Sequence, residues 1–150
     1  MKKHEHQGIS FEKVILEKVN FEIDPLYSFG DAPLSVKIGI KPSKEFSPEK
    51  RELKLILNTE INIKGVEPSP MKISLSVAGY FSITGDNDSV VLEEFSDIQA
   101  PAMLFPFVRE IVSNLTMRTD FKPLLLPPTN FMALIGRKTR KKKSEPIAPK

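Results

Sequence analysis

Four segments of the chain alternate apolar and polar residues with the period of a half-buried β-strand, at positions 10–24, 34–41, 51–64 and 71–84. In the first segment the alternation changes parity near Glu17, which predicts a β-bulge there. Short turns, and no helical pattern, separate the four segments. The pattern therefore predicts an α+β fold, with a four-stranded antiparallel sheet whose covered face is packed by elements later in the chain.

Two polar loops are predicted to flank the second strand. Residues 24–35 carry proline, glycine and aspartate, and they include the aromatic residues Tyr27 and Phe29, which either fold back onto the core or lie on the surface. The second strand is predicted to stop at Pro42, where a polar loop over 42–50 begins.

A long amphipathic helix is predicted to begin near Pro101 or Ala102, with Pro106 in its first turn, where a missing N–H costs little. Its apolar residues cover an arc wide enough to face both a sheet and a neighbouring helix. These residues are Leu104, Phe107, Val108, Ile111, Val112 and Leu115. Three leucines between prolines follow at 124–126, and then the start of a second helix. So much apolar surface must pack inside, pair with another copy of the chain, or bind a partner.

Composition indicates one ordinary globular domain with tails, since 40% of the 150 residues are hydrophobic and 27% are charged. The chain has no cysteine, no apolar run of membrane-spanning length and no secretory signal pattern at its N-terminus, which together favour the cytoplasm. The net charge of +3 is uneven: residues 136–150 carry +6, and the preceding residues carry −3.

The residues that usually carry catalysis or bind cofactors do not form a recognisable set. His4 and His6 are the only histidines, and both belong to the N-terminal segment. The glycines form no phosphate-binding loop. Asp86, Asn87 and Asp88 lack the glycine and glutamate spacing of a calcium loop and favour a surface turn. We therefore predict no enzyme activity, no metal site and no cofactor.

Three segments resemble signature sequences of the SecB family of bacterial protein-export chaperones, in the same order and at similar spacing. They are AGYFSITG at 78–85, MLFPFVRE at 103–110 and PLLLPPTNFMALI at 123–135, and VNFE at 19–22 is similar to the end of the family's first strand. The resemblance covers residues 10–136. It leaves a flexible N-terminal segment over 1–9 and a basic, disordered tail over 137–150.

The resemblance implies four strands followed by two helices, assembled as a homotetramer that is a dimer of dimers. It implies an ATP-independent holdase that binds unfolded or precursor polypeptides in apolar grooves. The client-binding positions it implies are Tyr27, Phe29, Leu124, Leu125, Leu126, Phe131, Leu134 and Ile135, with Thr129 or Asn130 capping the last helix. The long helix would lie at the subunit contacts through the apolar arc named above.

Two departures from the family pattern keep other functions open. The family offers an acidic sheet surface and an acidic tail to the translocation motor SecA, whereas this chain has Lys18, Glu22, Lys72 and Ser74 on that surface, and its tail is basic. SecA docking is therefore weakened, and a dedicated partner, such as a toxin-antitoxin system, is an alternative to export. The basic run from Arg137 to Lys143 is either a solubilising end or a contact for nucleic acid or an anionic surface.

Overall fold

The structure is a computed structural model that describes residues 8–31, 34–84 and 89–127 of the chain. Its strands are β1 (Ile9–Ile23), β2 (Val36–Ser47), β3 (Glu52–Ile63) and β4 (Met71–Ile83). They form one antiparallel sheet in the order β1-β4-β3-β2. The predicted four-stranded antiparallel sheet is confirmed, and β1 and β2 are its edges.

The bulge predicted in β1 is also confirmed. The pairing of β1 with β4 shifts register between Leu16 and Lys18, at the position of the parity change. A second shift, between Phe11 and Lys13, was not predicted. Because each extra residue reverses the face of all later side chains, the two shifts together return Phe21 and Ile23 to the face that also holds Phe11.

The predicted end of β2 at Pro42 is wrong, because the strand continues to Ser47 through most of the predicted polar loop. Pro42 is paired with Leu57, and only one side of β2 has a neighbouring strand in the described sheet. A proline is tolerated in an edge strand, where its missing donor can face outward. Lys44 further fixes this part of β2, since its Nζ lies 3.2 Å from both Ser96 Oγ and Asp97 Oδ1.

The hydrophobic core lies on one face of the sheet. Alternate residues of β3 and β4 are buried, from Leu53 to Ile63 and from Met71 to Ile83, as the period-two pattern predicted. The apolar set of β1 is less covered, and Leu16 and Val19 remain 43% and 44% exposed. The covering element therefore packs mainly over the two central strands.

That cover is one continuous helical run made of α1 (Ser89–Glu94), a π-helical stretch (Phe95–Gln99) and α2 (Ala100–Thr116). The predicted start near Pro101 falls one residue after the start of α2, but the helical residues before it, from Ser89 to Gln99, were not predicted. The placement of Pro106 in the first turn is wrong, because Pro106 lies inside α2. Both Pro106 and Ala102, whose carbonyl loses its helical partner, are exposed, so water can satisfy that carbonyl.

The helix α2 packs on the sheet through a stripe at i, i+4 spacing that consists of Leu104, Val108, Val112 and Thr116, each fully buried. Gly79 of β4 lies beneath Leu104, and a Cβ at this glycine would lie 2.6 Å from Leu104 Cδ2. The glycine therefore permits the helix to approach the sheet closely.

The predicted second helix, with Phe131, Leu134 and Ile135 on its apolar face, lies outside the described residues. So do the predicted N-terminal segment up to Gln7, the surface turn at Asp86 to Asp88, and the basic tail. Within residues 8–31, 34–84 and 89–127, the helical run after β4 completes the α+β fold.

Candidate functional site

A groove lies where the β1–β2 loop meets the segment that follows α2. One cavity of about 630 Å³ is lined by loop residues, including Tyr27 and Phe29, and by residues 118–121. A second cavity of about 320 Å³ is lined by Leu34 and residues 120–125 among others. Gly30, Asp31, Asp120 and Phe121 line both cavities, so the two form one groove.

Three aromatic rings build one wall of the groove. Phe29 lies 4.8 Å from Phe121 and 4.9 Å from Tyr27, measured between ring centroids. Phe121 is buried and Phe29 packs against the core, whereas Tyr27 is 38% exposed. The two alternatives left open for the loop aromatics are thus both realised: Phe29 folds back and Tyr27 lies at the surface. Asp24 starts the loop by accepting a hydrogen bond from Leu26 N, at 2.9 Å, on Oδ1.

The three leucines after α2 have three different environments. Leu124 is partly buried against the core, Leu125 is 75% exposed, and Leu126 is 2% exposed. Leu124 and Leu125 line the smaller cavity. Leu126 packs into the core and anchors the segment. Its side chain therefore does not line the groove, although the resemblance implied that Leu126 is a client-binding position.

Two side chains of α2 hold the backbone of this leucine segment. The amide of Leu124 donates to Thr116 Oγ1 at 2.8 Å, and the Thr116 hydroxyl itself donates to Val112 O at 2.9 Å. Arg109 Nε donates to Leu126 O at 2.7 Å. Because charged donors form strong hydrogen bonds, the Arg109 contact is the firmer of the two anchors.

The apolar arc of α2 divides into two faces. Leu104, Val108 and Val112 are buried against the sheet. Phe107, Ile111 and Leu115 are only partly buried, and they line a shallow cavity of about 280 Å³ on the flank of the helix beside this buried stripe. The arc thus has a part that is fully buried against the sheet, as predicted, and a partly buried flank beside it, which we call the outward face.

The groove also carries charge. Asp24, Asp31 and Asp120 line it, together with Arg118 in the larger cavity and Lys122 in the smaller one. All five side chains are exposed. Among the described residues, no cluster of three or more potential metal ligands occurs. The groove offers apolar walls with a charged rim, an arrangement suited to binding a ligand.

The opposite face of the sheet is polar and mixed in charge. Glu22 of β1 pairs with Lys72 of β4, and Lys54 Nζ lies 3.1 Å from Glu17 Oε2. The Lys54 ammonium also lies over the ring of Tyr80, at 5.6 Å from its centroid. The hydrogen bond with Glu17 raises the pKa of Lys54, and the Tyr80 hydroxyl adds to this effect.

Sequence reasoning missed three residues that shape the groove: Phe121, Thr116 and Arg109. Thr116 continues the i+4 stripe of Val108 and Val112, and a polar residue on a buried stripe indicates a hydrogen bond to be made. Phe121 is a single aromatic residue between Asp120 and Lys122, which marks an anchor in a polar loop. Arg109 stands in the MLFPFVRE segment, but its partner is distant in sequence and no local pattern identifies it.

The fold and groove together define the class of protein: an α+β protein with a helix-covered antiparallel sheet and an open apolar groove at one end. No helix in the part of the chain that the structure describes has the length and apolar character needed to cross a membrane.

Comparison with known proteins narrows this class. Residues 30–142 match the family model described as preprotein translocase subunit SecB. The protein-export protein SecB of Histophilus somni is 31% identical over 137 residues, covering 87% of this chain and 80% of the relative. That of Dinoroseobacter shibae is 31% identical over 148 residues, covering 95% and 81%.

The fold matches a solved SecB-like chaperone from Mycobacterium tuberculosis, in complex with a peptide from an antitoxin, with a TM-score of 0.68. The match covers 79% of this chain and 89% of that one, at 16% sequence identity. The chain belongs to the SecB family. It therefore falls within a family of chaperones, and the resemblance of its signature segments is confirmed.

Proposed function

We propose that the protein is an ATP-independent holdase that binds unfolded or precursor polypeptides in the groove formed by the β1–β2 loop and the leucine segment. The observation that carries this proposal is the exposed Leu125, 75% accessible, beside an aromatic wall in a protein of the SecB family. Leu125 lines the same cavity as Leu34, Phe121 and Leu124, and a contiguous apolar lining of this kind is typical of an interaction site.

The chemistry of the groove fits binding with little sequence selectivity. Burying one leucine side chain contributes roughly 1.5–3 kcal/mol, and this contribution depends on area and not on direction. Tyr27, Phe29, Leu124 and Leu125 are the proposed client contacts among the described residues, and Phe131, Leu134 and Ile135 complete the proposal. Release needs no chemical step, because contacts of this kind form and break reversibly.

Assembly is proposed to use the outward face of α2, in a dimer of dimers. Phe107, Ile111 and Leu115 are partly buried already, and pairing with another copy would remove them from water. This contact would use the flank of the helix beside the stripe that packs on the sheet.

The cellular role that we propose first is protein export, in line with the names of the relatives. A dedicated partner is the second candidate, because the sheet face pairs Glu22 with Lys72 and is not uniformly acidic. The antitoxin peptide bound by the solved neighbour fits this second candidate. Sedimentation of the chain with purified SecA distinguishes the two: export predicts a complex that weakens with salt, and a dedicated partner predicts none.

The test of the holdase is suppression of aggregation by the full-length chain. A chemically unfolded protein is diluted into buffer, and light scattering is followed with the chain present at stoichiometric amounts. We expect the wild type to suppress scattering and Leu125→Asp to suppress it at least several-fold less, because a carboxylate in the groove must be desolvated when a client binds.

Leu26→Asp is the matched control. Leu26 is 93% exposed in the same region but does not line either cavity of the groove. The same charge change at Leu26 should leave suppression unchanged, and sedimentation should show the same particle size for all three proteins. A wild-type chain that fails to suppress aggregation, or equal losses from both substitutions, would count against the proposed site.

A further inference from the structure

The leucine segment is held more firmly than its lack of helix or strand would suggest. It runs back along α2, since Leu124 contacts Thr116 and Leu126 contacts Arg109, which precedes Thr116 by two helical turns. Two turns are about 10 Å, a span that two extended residues and an arginine side chain can bridge. The segment is therefore fixed at two points, one on each side of Leu125.

Leu125 is the residue between these two fixed points. The backbones of Leu124 and Leu126 are held by hydrogen bonds. The Leu126 side chain is buried and the Leu124 side chain is partly buried, whereas Leu125 is 75% exposed. An exposed leucine gains nothing from being held in place within the monomer. However, because the backbone around Leu125 is already fixed, binding a client removes less conformational freedom from this segment.

We infer that Arg109 and Thr116 are positioning residues for the groove, which fix the backbone around Leu125 before a client arrives. This inference rests on the proposed function, and it assigns to α2 a role beyond covering the sheet. In this inference, neither Arg109 nor Thr116 needs to contact the client. Thr116 is fully buried beneath the segment, and Arg109 bonds the backbone carbonyl of Leu126.

Thr116→Val tests the inference, because valine keeps the shape of threonine and removes the acceptor of the Leu124 amide. The probe is reduced and carboxymethylated α-lactalbumin, which stays unfolded, and its binding to the full-length chain is measured by surface plasmon resonance. We expect about tenfold weaker binding, mostly through faster dissociation. Thr116→Ser keeps the hydroxyl and should bind within about twofold of wild type.

Hydrogen exchange supplies the readout that a general loss of stability would not give. In Thr116→Val the Leu124 amide should exchange faster, while the amide of Val108, in the middle of the same helix, keeps its rate. Thr84→Val is the matched control, since the Thr84 hydroxyl bonds Gly8 O at 3.0 Å, away from the groove. This control should change neither client binding nor exchange at Leu124.

Arg109→Met provides a second, independent variant, because it keeps an unbranched apolar side chain and removes the donor to Leu126 O. Because the Arg109 contact is the firmer anchor, this variant should weaken binding of the same probe by at least as large a factor. The inference is overturned if exchange at Leu124 rises in Thr116→Val while client affinity stays at the wild-type value. Failure of the wild type to bind the probe would overturn the proposed function instead, and exchange at Leu124 would still report on the anchor.

Discussion

The close approach of α2 to the sheet depends on a single glycine. Gly79 pairs with Val14 on one side and with Leu55 on the other, in the middle of β4. A Cβ at this position would lie 2.6 Å from Leu104 Cδ2 and 3.1 Å from both Leu104 Cδ1 and Phe81 Cε2. Carbon atoms normally approach to about 3.5–4.0 Å, so Gly79→Ala forces the fully buried Leu104 to move.

The size of this effect follows from two opposing contributions. Adding a methyl group to a packed core costs about 1–3 kcal/mol. Removing a glycine from a strand interior returns roughly 0.5–1 kcal/mol, because the unfolded chain loses freedom. We therefore expect Gly79→Ala to lower the free energy of unfolding by about 1–2 kcal/mol.

Urea unfolding followed by circular dichroism, at one fixed protein concentration, measures this change. The double-mutant cycle with Leu104→Ala identifies its cause. Leu104→Ala alone should cost about 2–5 kcal/mol through the cavity it leaves. In that background the added methyl has room, so Gly79→Ala should become neutral or stabilise the protein by roughly 0.5–1 kcal/mol.

Gly39→Ala is the matched control, because a Cβ at Gly39 of β2 meets no atom within 4 Å. It should leave stability unchanged or raise it slightly. If Gly79→Ala proves as stable as Gly39→Ala, or if its cost persists when Leu104 is alanine, then contact with Leu104 does not limit the approach of the helix.

Two further predictions concern the two faces of the sheet. Thr59 Oγ1 is buried without a hydrogen-bond partner among the described residues. Thr59→Val should therefore raise the free energy of unfolding by about 1 kcal/mol in the same urea assay. A loss of stability would indicate that the hydroxyl has an unrecognised partner. On the polar face, Glu17→Gln should lower the pKa of Lys54, measured by NMR titration of its Cε, because the Glu17 carboxylate contributes most to raising it. Since the pKa of Lys54 is raised in the folded state, the pair stabilises the fold below the ordinary pKa of 10.5, and this contribution is lost as pH rises through the folded-state value. An unchanged Lys54 titration in Glu17→Gln would assign the raised pKa to Tyr80.

The strands of the sheet could be predicted largely from the sequence because one face is buried and the other is wet. The strict alternation in β3 and β4 placed both strands within one residue of their ends, and the parity change located the bulge beside Glu17. The end of β2 could not be predicted in this way. A proline such as Pro42 would break a central strand but is tolerated in an edge strand. Only the sheet order shows that β2 is an edge.

The candidate site, too, could be predicted only in part from the sequence. The family resemblance implied Tyr27, Phe29 and the leucine run as client-binding positions, and the apolar pattern after residue 100 predicted more apolar surface than a single helix buries. The different burial of Leu124, Leu125 and Leu126 cannot be predicted from a run of three identical residues. They depend on Thr116 and Arg109, which contact the segment from 8 and 17 residues away.

By itself the sequence determined the fold class, the strand pattern, the apolar arc of α2 and the family, because each depends on local periodicity or on a contiguous motif. The tertiary structure alone decided which of the three leucines line the groove, which aromatic residue folds back, and how closely the helix approaches β4. The physical reason is that these features depend on contacts between distant residues: a glycine beneath a leucine, and side chains of a helix bonded to the backbone of a loop. No local pattern encodes such contacts, since either partner alone permits several arrangements.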